Sequence, residues 1–207
     1  MFKEKMLPED IDKLPLGQFS GKIVVVDHIG LTYTAAVHYL SRQKFIGFDT
    51  ETKPVFQKGA KHHNVALLQL SGPDKAFLFR LNKMGLRSRL CNKVLSNPAV
   101  LKIGAASMED VHGLQRLTKF NPAGFVDLQQ IVAEWGIADK SVKKMAANIL
   151  GIRISKAQQC SNWEAENLTA PQQAYAAMDA WVCREMYLKL MDSPKNPLKT
   201  DNEQGNS

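Results

Sequence analysis

Residues Phe45–Pro54 read FIGFDTETKP. An apolar run rich in β formers carries the chain inward, and Asp49 and Glu51 then arrive two positions apart. In an extended segment, residues i and i+2 face the same way. The stretch predicts a strand that presents two carboxylates on one face beside apolar neighbours. Such a pair repels itself and resists burial. A divalent cation relieves that repulsion, because magnesium-type sites are built from carboxylates, water and phosphate oxygens. A solvated strand end accounts for the same spacing without a metal, so the flanking sequence has to decide.

Upstream, KIVVVD (Lys22–Asp27) is a short apolar strand, and LTYTAAVHYLSRQ has helical character. Downstream, a loop carries Lys58, Lys61, His62 and His63. VALLQLSG (Val65–Gly72) and AFLFRL (Ala76–Leu81) then flank the turn residues Pro73–Lys75, which reads as a hairpin. The remainder is mostly helical: GLRSRLCNKVLSN, SMEDVHGLQRL, FVDLQQIVAEWG, KSVKKMAANILG and a long segment from Leu168 to Met191, with one strand, AVLKIGA, among them. Ser141 and Gly151 suit the two ends of one helix. Thr169 with Gln172 three positions on is a capping box, and Pro171 sits in that helix's first turn. Strands first, one more strand between helices, then helices: this order predicts the α/β class, a mixed sheet flanked by helices. One domain over residues 21–191 is expected, with a loosely structured N-terminal arm over 1–20 and a polar, disordered tail over 192–207.

The chain has 207 residues, 44% of them hydrophobic, enough for one domain with a real core. Lys and Arg number 27 against 20 Asp and Glu, a net charge of +7 that suits a polyanionic partner. Cys91, Cys160 and Cys183 form no CxxC pair, which argues against a zinc knuckle or a disulfide framework and for reduced thiols. No stretch approaches the roughly 18 apolar residues of a membrane span. The opening MFKEKMLPEDIDKLPLG lacks the apolar core of a signal peptide. A soluble, cytoplasmic protein without a membrane partner is the expectation.

Two further features bear on the carboxylate pair. YAAMD places Tyr175 and Asp179 one turn apart on the long last helix, a face shared with Met178 and Val182. A phenol one turn from a carboxylate can hold a water, and an ordinary Tyr at a core edge beside an exposed Asp fits the same spacing. SMEDVHGLQRL opens with Ser107 as a prospective N-cap and Asp110 at the third helical position, where an acid suits the dipole without any metal. Glu109 is available as well, and spacing alone does not choose between them.

FDTE, then ED opening a helix after LKIGAAS, then YAAMD on a late helix come in the order of the three exonuclease motifs. From about Lys22 to Leu190 the sequence resembles the DEDD superfamily of 3′–5′ exonucleases, of RNase H-like fold, and within it the ribonuclease D and Werner-syndrome exonuclease group. VALLQLS and LGIRISKAQQCSNWEAENLTAPQQAYAAMDA carry the likeness further. The resemblance implies a two-metal phosphodiesterase using Mg²⁺ or Mn²⁺ that releases nucleoside 5′-monophosphates from the 3′ end of DNA or RNA. It implies that Asp49, Glu51 and Asp179 ligate one ion, that Asp49 bridges to a second, that Asp110 reaches that one, and that Tyr175 orients the attacking water. The branch with His five residues before the last Asp does not fit, since Ala174 stands there; the Tyr-bearing branch, DEDDy, does. Thr52 departs from the bulky residue many relatives carry after the motif-one Glu. Thr50, Thr52, Lys53, Lys143, Lys144, Lys156 and Trp163 are candidate nucleic-acid contacts, with Lys58, Lys61 and Arg153 also in the basic shell. A catalytically weak nucleic-acid-binding protein of the same fold is the alternative.

Overall fold

The run beginning at Phe45 forms a strand because both of its faces find cover. The computed structural model describes residues 1–57, 59 and 62–198; Lys58, Lys61 and the end of the expected tail lie outside them. A short helix α1 (Pro8–Asp12) precedes β1 (Lys22–Val26), α2 (Leu31–Leu40), β2 (Phe45–Thr52), β3 (Val65–Ser71) and β4 (Lys75–Arg80). Then come α3 (Leu81–Met84), α4 (Ser88–Leu90) with a π-helical turn at Cys91–Leu95, β5 (Leu101–Gly104) and α5 (Ser107–Leu117). The last elements are β6 (Phe125–Asp127), α6 (Leu128–Ile131) with a 3₁₀ turn at Val132–Trp135, α7 (Val142–Leu150) and α8 (Ala170–Met191).

The six strands form one mixed sheet in the order β1-β4-β3-β2-β5-β6. β3 pairs antiparallel with β2 and β4, and the other pairings are parallel. Alternation along the central strands divides the core. Ile46, Phe48, Leu68, Leu70, Phe77 and Phe79 face one way, into a cluster with Tyr33, Val37 and Leu40 of α2 and Val111 and Leu114 of α5. Leu67 and Leu78 face the other way, against Trp163 and Ala176 under α8. A third cluster joins Ile103 to Trp135, Met145, Val182 and Met186. Helices thus cover both faces, as the mixed α/β expectation requires. Among the described residues no helix is long and apolar enough to cross a membrane.

Three stretches differ from the sequence reading. Phe125–Asp127 was expected to open a helix and instead forms edge strand β6, because its backbone pairs with Lys102–Gly104. The Asp127 carboxylate then caps α6 by accepting from Gln129 N at 2.9 Å. The N-terminal arm is folded down, not loose. Met6 and Ile11 are buried with Ala147, Met6 N donates to Asp139 at 2.7 Å, and Gly17 N donates to Arg153 O at 2.9 Å. The start of the expected tail is also held. Trp135 Nε1 donates to Ser193 O at 3.1 Å, and Asn196 and Leu198 N donate to the carbonyls of Glu134 and Ala133 at 3.0 Å.

One close approach sets the geometry of the whole α8 face. A Cβ on Gly47 would stand 1.7 Å from the carbonyl oxygen of Ala180 and 2.4 Å from its carbonyl carbon. Both are backbone atoms, so no side chain can move aside to admit a methyl group. Ala176, Ala177 and Ala180 keep the helix side of this contact small and are fully buried. Gly47→Ala therefore has to push α8 off the central strand. Urea denaturation should show a loss of about 3 kcal/mol. A loss under about 0.5 kcal/mol, typical of an ordinary surface substitution, would contradict the contact.

Candidate active site

Two residues beyond Gly47 on the same face of β2 stands Asp49, and two beyond that Glu51. The strand direction thus delivers both acids beneath α8, with a register irregularity between Glu51 and Thr52 that ends the regular pairing with β3. α8 supplies the other side. Its start is fixed by the capping box, in which Thr169 Oγ1 accepts from Gln172 N and Gln172 Oε1 accepts from Thr169 N. From that fixed start, Tyr175 and Asp179 fall one turn apart. Asp179 immediately precedes Ala180, the residue in backbone contact with Gly47.

Asp49, Thr50, Glu51, Tyr175 and Asp179 line a single cleft of about 330 Å³, together with Lys143, Ser155, Lys156 and Gln159. Asp110 is joined to this group through Thr50. The Thr50 hydroxyl donates to Asp110 Oδ1 at 2.5 Å, and the Thr50 backbone N–H donates to Asp49 Oδ1 at 2.8 Å. This answers the choice between the two acids of α5, since Glu109 is exposed. Ser107 is not the cap of α5. Ala106 holds that position in the left-handed region at φ 56°, and its N–H donates to Asp127 at 3.1 Å. Asp127, in the first turn of the helix the sequence suggests, is therefore a joint between α5 and α6. Only the pairing of β6 with β5 reveals it.

The electrostatics of the acids are those of like charges crowded together and half-buried at the cleft wall. Burial, reinforced by Asp179 and Asp110, holds the Asp49 carboxyl well above its ordinary range. Burial first and Asp49 second push Glu51 up to about 9. Burial raises Asp179 to about 7, with the Tyr175 hydroxyl and Lys156 working against it. Asp110 rises to about 6 from burial, opposed by the Thr50 hydrogen bond. Tyr175 is raised by burial and by the Asp179 and Glu51 charges.

Hard oxygen donors that repel one another suit Mg²⁺ or Mn²⁺. Among the described residues no group of three or more His, Cys, Asp or Glu is arranged so that it would by itself hold a metal ion. The acids instead border an open cleft, which leaves positions for water and phosphate oxygens.

The expected nucleic-acid contacts divide. Thr50, Lys143 and Lys156 line the cleft. Thr52 is exposed at the strand end, and Lys53 Nζ lies 3.7 Å from Glu164, which also meets His63 at 3.0 Å. Lys144 is committed to Asp139 at 2.8 Å, and Arg153 donates to Leu14 O at 3.1 Å. Trp163 is the clear correction. It is 0% exposed, with its ring 6.0 Å from that of Tyr175, so it backs α8 and offers no face to a base. Of the free cysteines, Cys91 and Cys183 are buried and Cys160 is exposed.

Fold and site together define an α/β domain with a carboxylate centre suited to divalent cations. The model of the 3′–5′ exonuclease family matches residues 31–193, and the chain belongs to that family. The bifunctional 3′–5′ exonuclease/ATP-dependent helicase WRN of Mus musculus is 30% identical over 193 residues, covering 86% of this chain and 13% of the relative. Ribonuclease D of Gluconacetobacter diazotrophicus is 28% identical over 160 residues, covering 77% of this chain and 40% of the relative. The chain thus spans well under half the length of these two curated relatives. The crystal structure of the Aedes aegypti Nibbler EXO domain superposes with a TM-score of 0.72 at 26% identity, over 85% of this chain and 91% of that one.

The raised carboxyls fix a pH dependence. Unfolded carboxyls titrate near about 4, so the folded protein binds these protons more tightly than the unfolded chain. Protonation then favours the fold, and that contribution is lost as pH rises through the folded values. In EDTA the melting temperature should fall from about pH 4, where the unfolded carboxyls titrate, to about pH 9, the Asp110 contribution being spent by about 6, that of Asp179 by about 7 and that of Glu51 last. Saturating Mg²⁺ should flatten the fall. A melting temperature that climbs across this window in EDTA would contradict the reading.

Proposed function

We propose that this chain is a two-metal 3′–5′ exonuclease that hydrolyses the terminal phosphodiester of DNA or RNA and releases nucleoside 5′-monophosphates. One observation carries the reading: Asp49, Glu51, Asp179 and Tyr175 border the same cleft, and Asp110 is tied to it through Thr50. Family membership, with WRN and ribonuclease D among the relatives, supports the same reaction.

The roles follow from the chemistry of each side chain. Asp49, Glu51 and Asp179 would hold one divalent ion, and Asp49 with Asp110 a second. Bound there, the ions supply Lewis acidity that activates water and neutralises charge on the phosphate. Tyr175 keeps its proton at neutral pH, because burial and the neighbouring acids push its ionisation upward. Its hydroxyl therefore orients the attacking water and does not act as a base. Thr50 holds Asp49 and Asp110 in a fixed relation by donating to both. Lys143 and Lys156, at the cleft wall, meet the phosphate backbone and lend the salt dependence such contacts bring.

Labelled single-stranded, recessed and RNA substrates incubated with Mg²⁺ or Mn²⁺ test the proposal. Mononucleotides should appear from the 3′ end, and a blocked 3′ end should stop the reaction. Asp49→Asn should abolish release. Tyr175→Phe should lower kcat about 10²-fold and leave Mn²⁺ affinity intact. Internal cutting of a 3′-blocked strand would point to an endonuclease. Nucleic-acid binding without metal-dependent release would favour the catalytically weak binder of the same fold.

A further inference from the structure

One buried polar group beside the site has no part in the roles given above. Gln69, in the middle of β3, is fully buried, and neither Oε1 nor Nε2 has a hydrogen-bond partner among the described residues. An interior amide with all its hydrogen-bonding capacity unmet is costly to keep. Its place in the sheet suggests why it is kept. Gln69 pairs with Asp49 of β2 on one side and with Leu78 of β4 on the other. Directly opposed residues project to the same face, with Cβ atoms about 4.5–5.5 Å apart. That face lies under α8, where Leu67 and Leu78 pack with Trp163 and Ala176. Ser71 shares the face, but its hydroxyl is spent on Gly72 O. By register the polar neighbours are Asp49, directly opposed, and Glu51 and Arg80, which both pair with Leu67; Arg80 and the nearby Trp163 Nε1 can only donate, which leaves the carboxylates as acceptors for a Gln69 N–H. Asp49 itself receives a hydrogen bond at one oxygen, from Thr50 N.

We propose that Gln69 is a positioning residue for Asp49, and this rests on the function proposed above. One Nε2–H would donate to the Asp49 carboxylate when a bound cation draws that carboxylate into the rotamer facing Glu51 and Asp179, a bond these two side chains do not make in the present structure. The residue type fits the task. A Lys here would take the cation's electrostatic place, and a Glu would add a further negative charge. An amide supplies a donor with no net charge, so it orients the carboxylate and leaves its affinity for a cation intact. Partners that orient ligating carboxylates act on metal affinity from outside the coordination sphere.

Gln69→Met keeps length and approximate volume and deletes the donor. Mn²⁺ titration by calorimetry should show binding weakened about tenfold, with the melting temperature in EDTA equal to or above wild type. In wild-type protein, the Gln69 side-chain amide resonances should shift on addition of Mg²⁺, and Asp49→Asn should remove the shift. Unchanged Mn²⁺ affinity in Gln69→Met beside normal wild-type binding would overturn this inference alone. If that variant fails to fold, the wild-type resonances decide, and resonances indifferent to Mg²⁺ overturn it. A wild-type protein with no carboxylate-dependent Mn²⁺ site would overturn the proposed function, and this inference with it.

Discussion

The backbone contact between Gly47 and Ala180 is the constraint on which the rest depends. A long helix normally stands off a sheet by the width of its side chains. Here the absence of a Cβ on the strand and the small residues on the helix bring two backbones together. Asp49 lies two residues past Gly47 and Asp179 one residue before Ala180, so the contact fixes how near the two acids come. Loosening it would ease their repulsion and spoil the site at once.

Such a site has to be stabilised from elsewhere. Burial raises four carboxyls and a phenol in one region, and each ionised group left there opposes folding. The compensation is visible on both sides. Phe48, the residue just before Asp49, points away into the α2 and α5 core. Trp163, Leu67 and Ala176 pack tightly behind Tyr175. Arg80 is buried and donates to the backbone carbonyls of Ala165 and Glu166, which steadies the approach to the Thr169 cap. A cation bound among the acids would add its binding free energy to the folded state alone, so under the proposed function stability and catalysis would draw on the same ligand.

Local rules made much of this legible in the sequence. The two-residue spacing of Asp49 and Glu51, the four-residue spacing of Tyr175 and Asp179, and the Thr169–Gln172 box each follow from the period of one element. What failed to show were relations between elements. Glu109 and Asp110 are equivalent until the Thr50 hydroxyl selects one. Phe125–Asp127 has a helical neighbour on one side and becomes a strand because Lys102–Gly104 lies beside it. For Trp163 the sequence allows a base-stacking ring or a packed one beneath the last helix, and the α8 face decides for packing; for Lys144 it is Asp139 that decides. The arm read as loose because its anchors, Asp139, Ala147 and Arg153, lie far along the chain.

The central claim is that a close helix–strand contact gathers carboxylates into a divalent-cation site. Anomalous diffraction from crystals soaked in Mn²⁺ tests it most directly. The account predicts a peak bounded by Asp49, Glu51 and Asp179. Saturating Mn²⁺ that leaves these carboxylates without a peak, or that gathers only beside His63 and Glu164, would contradict it.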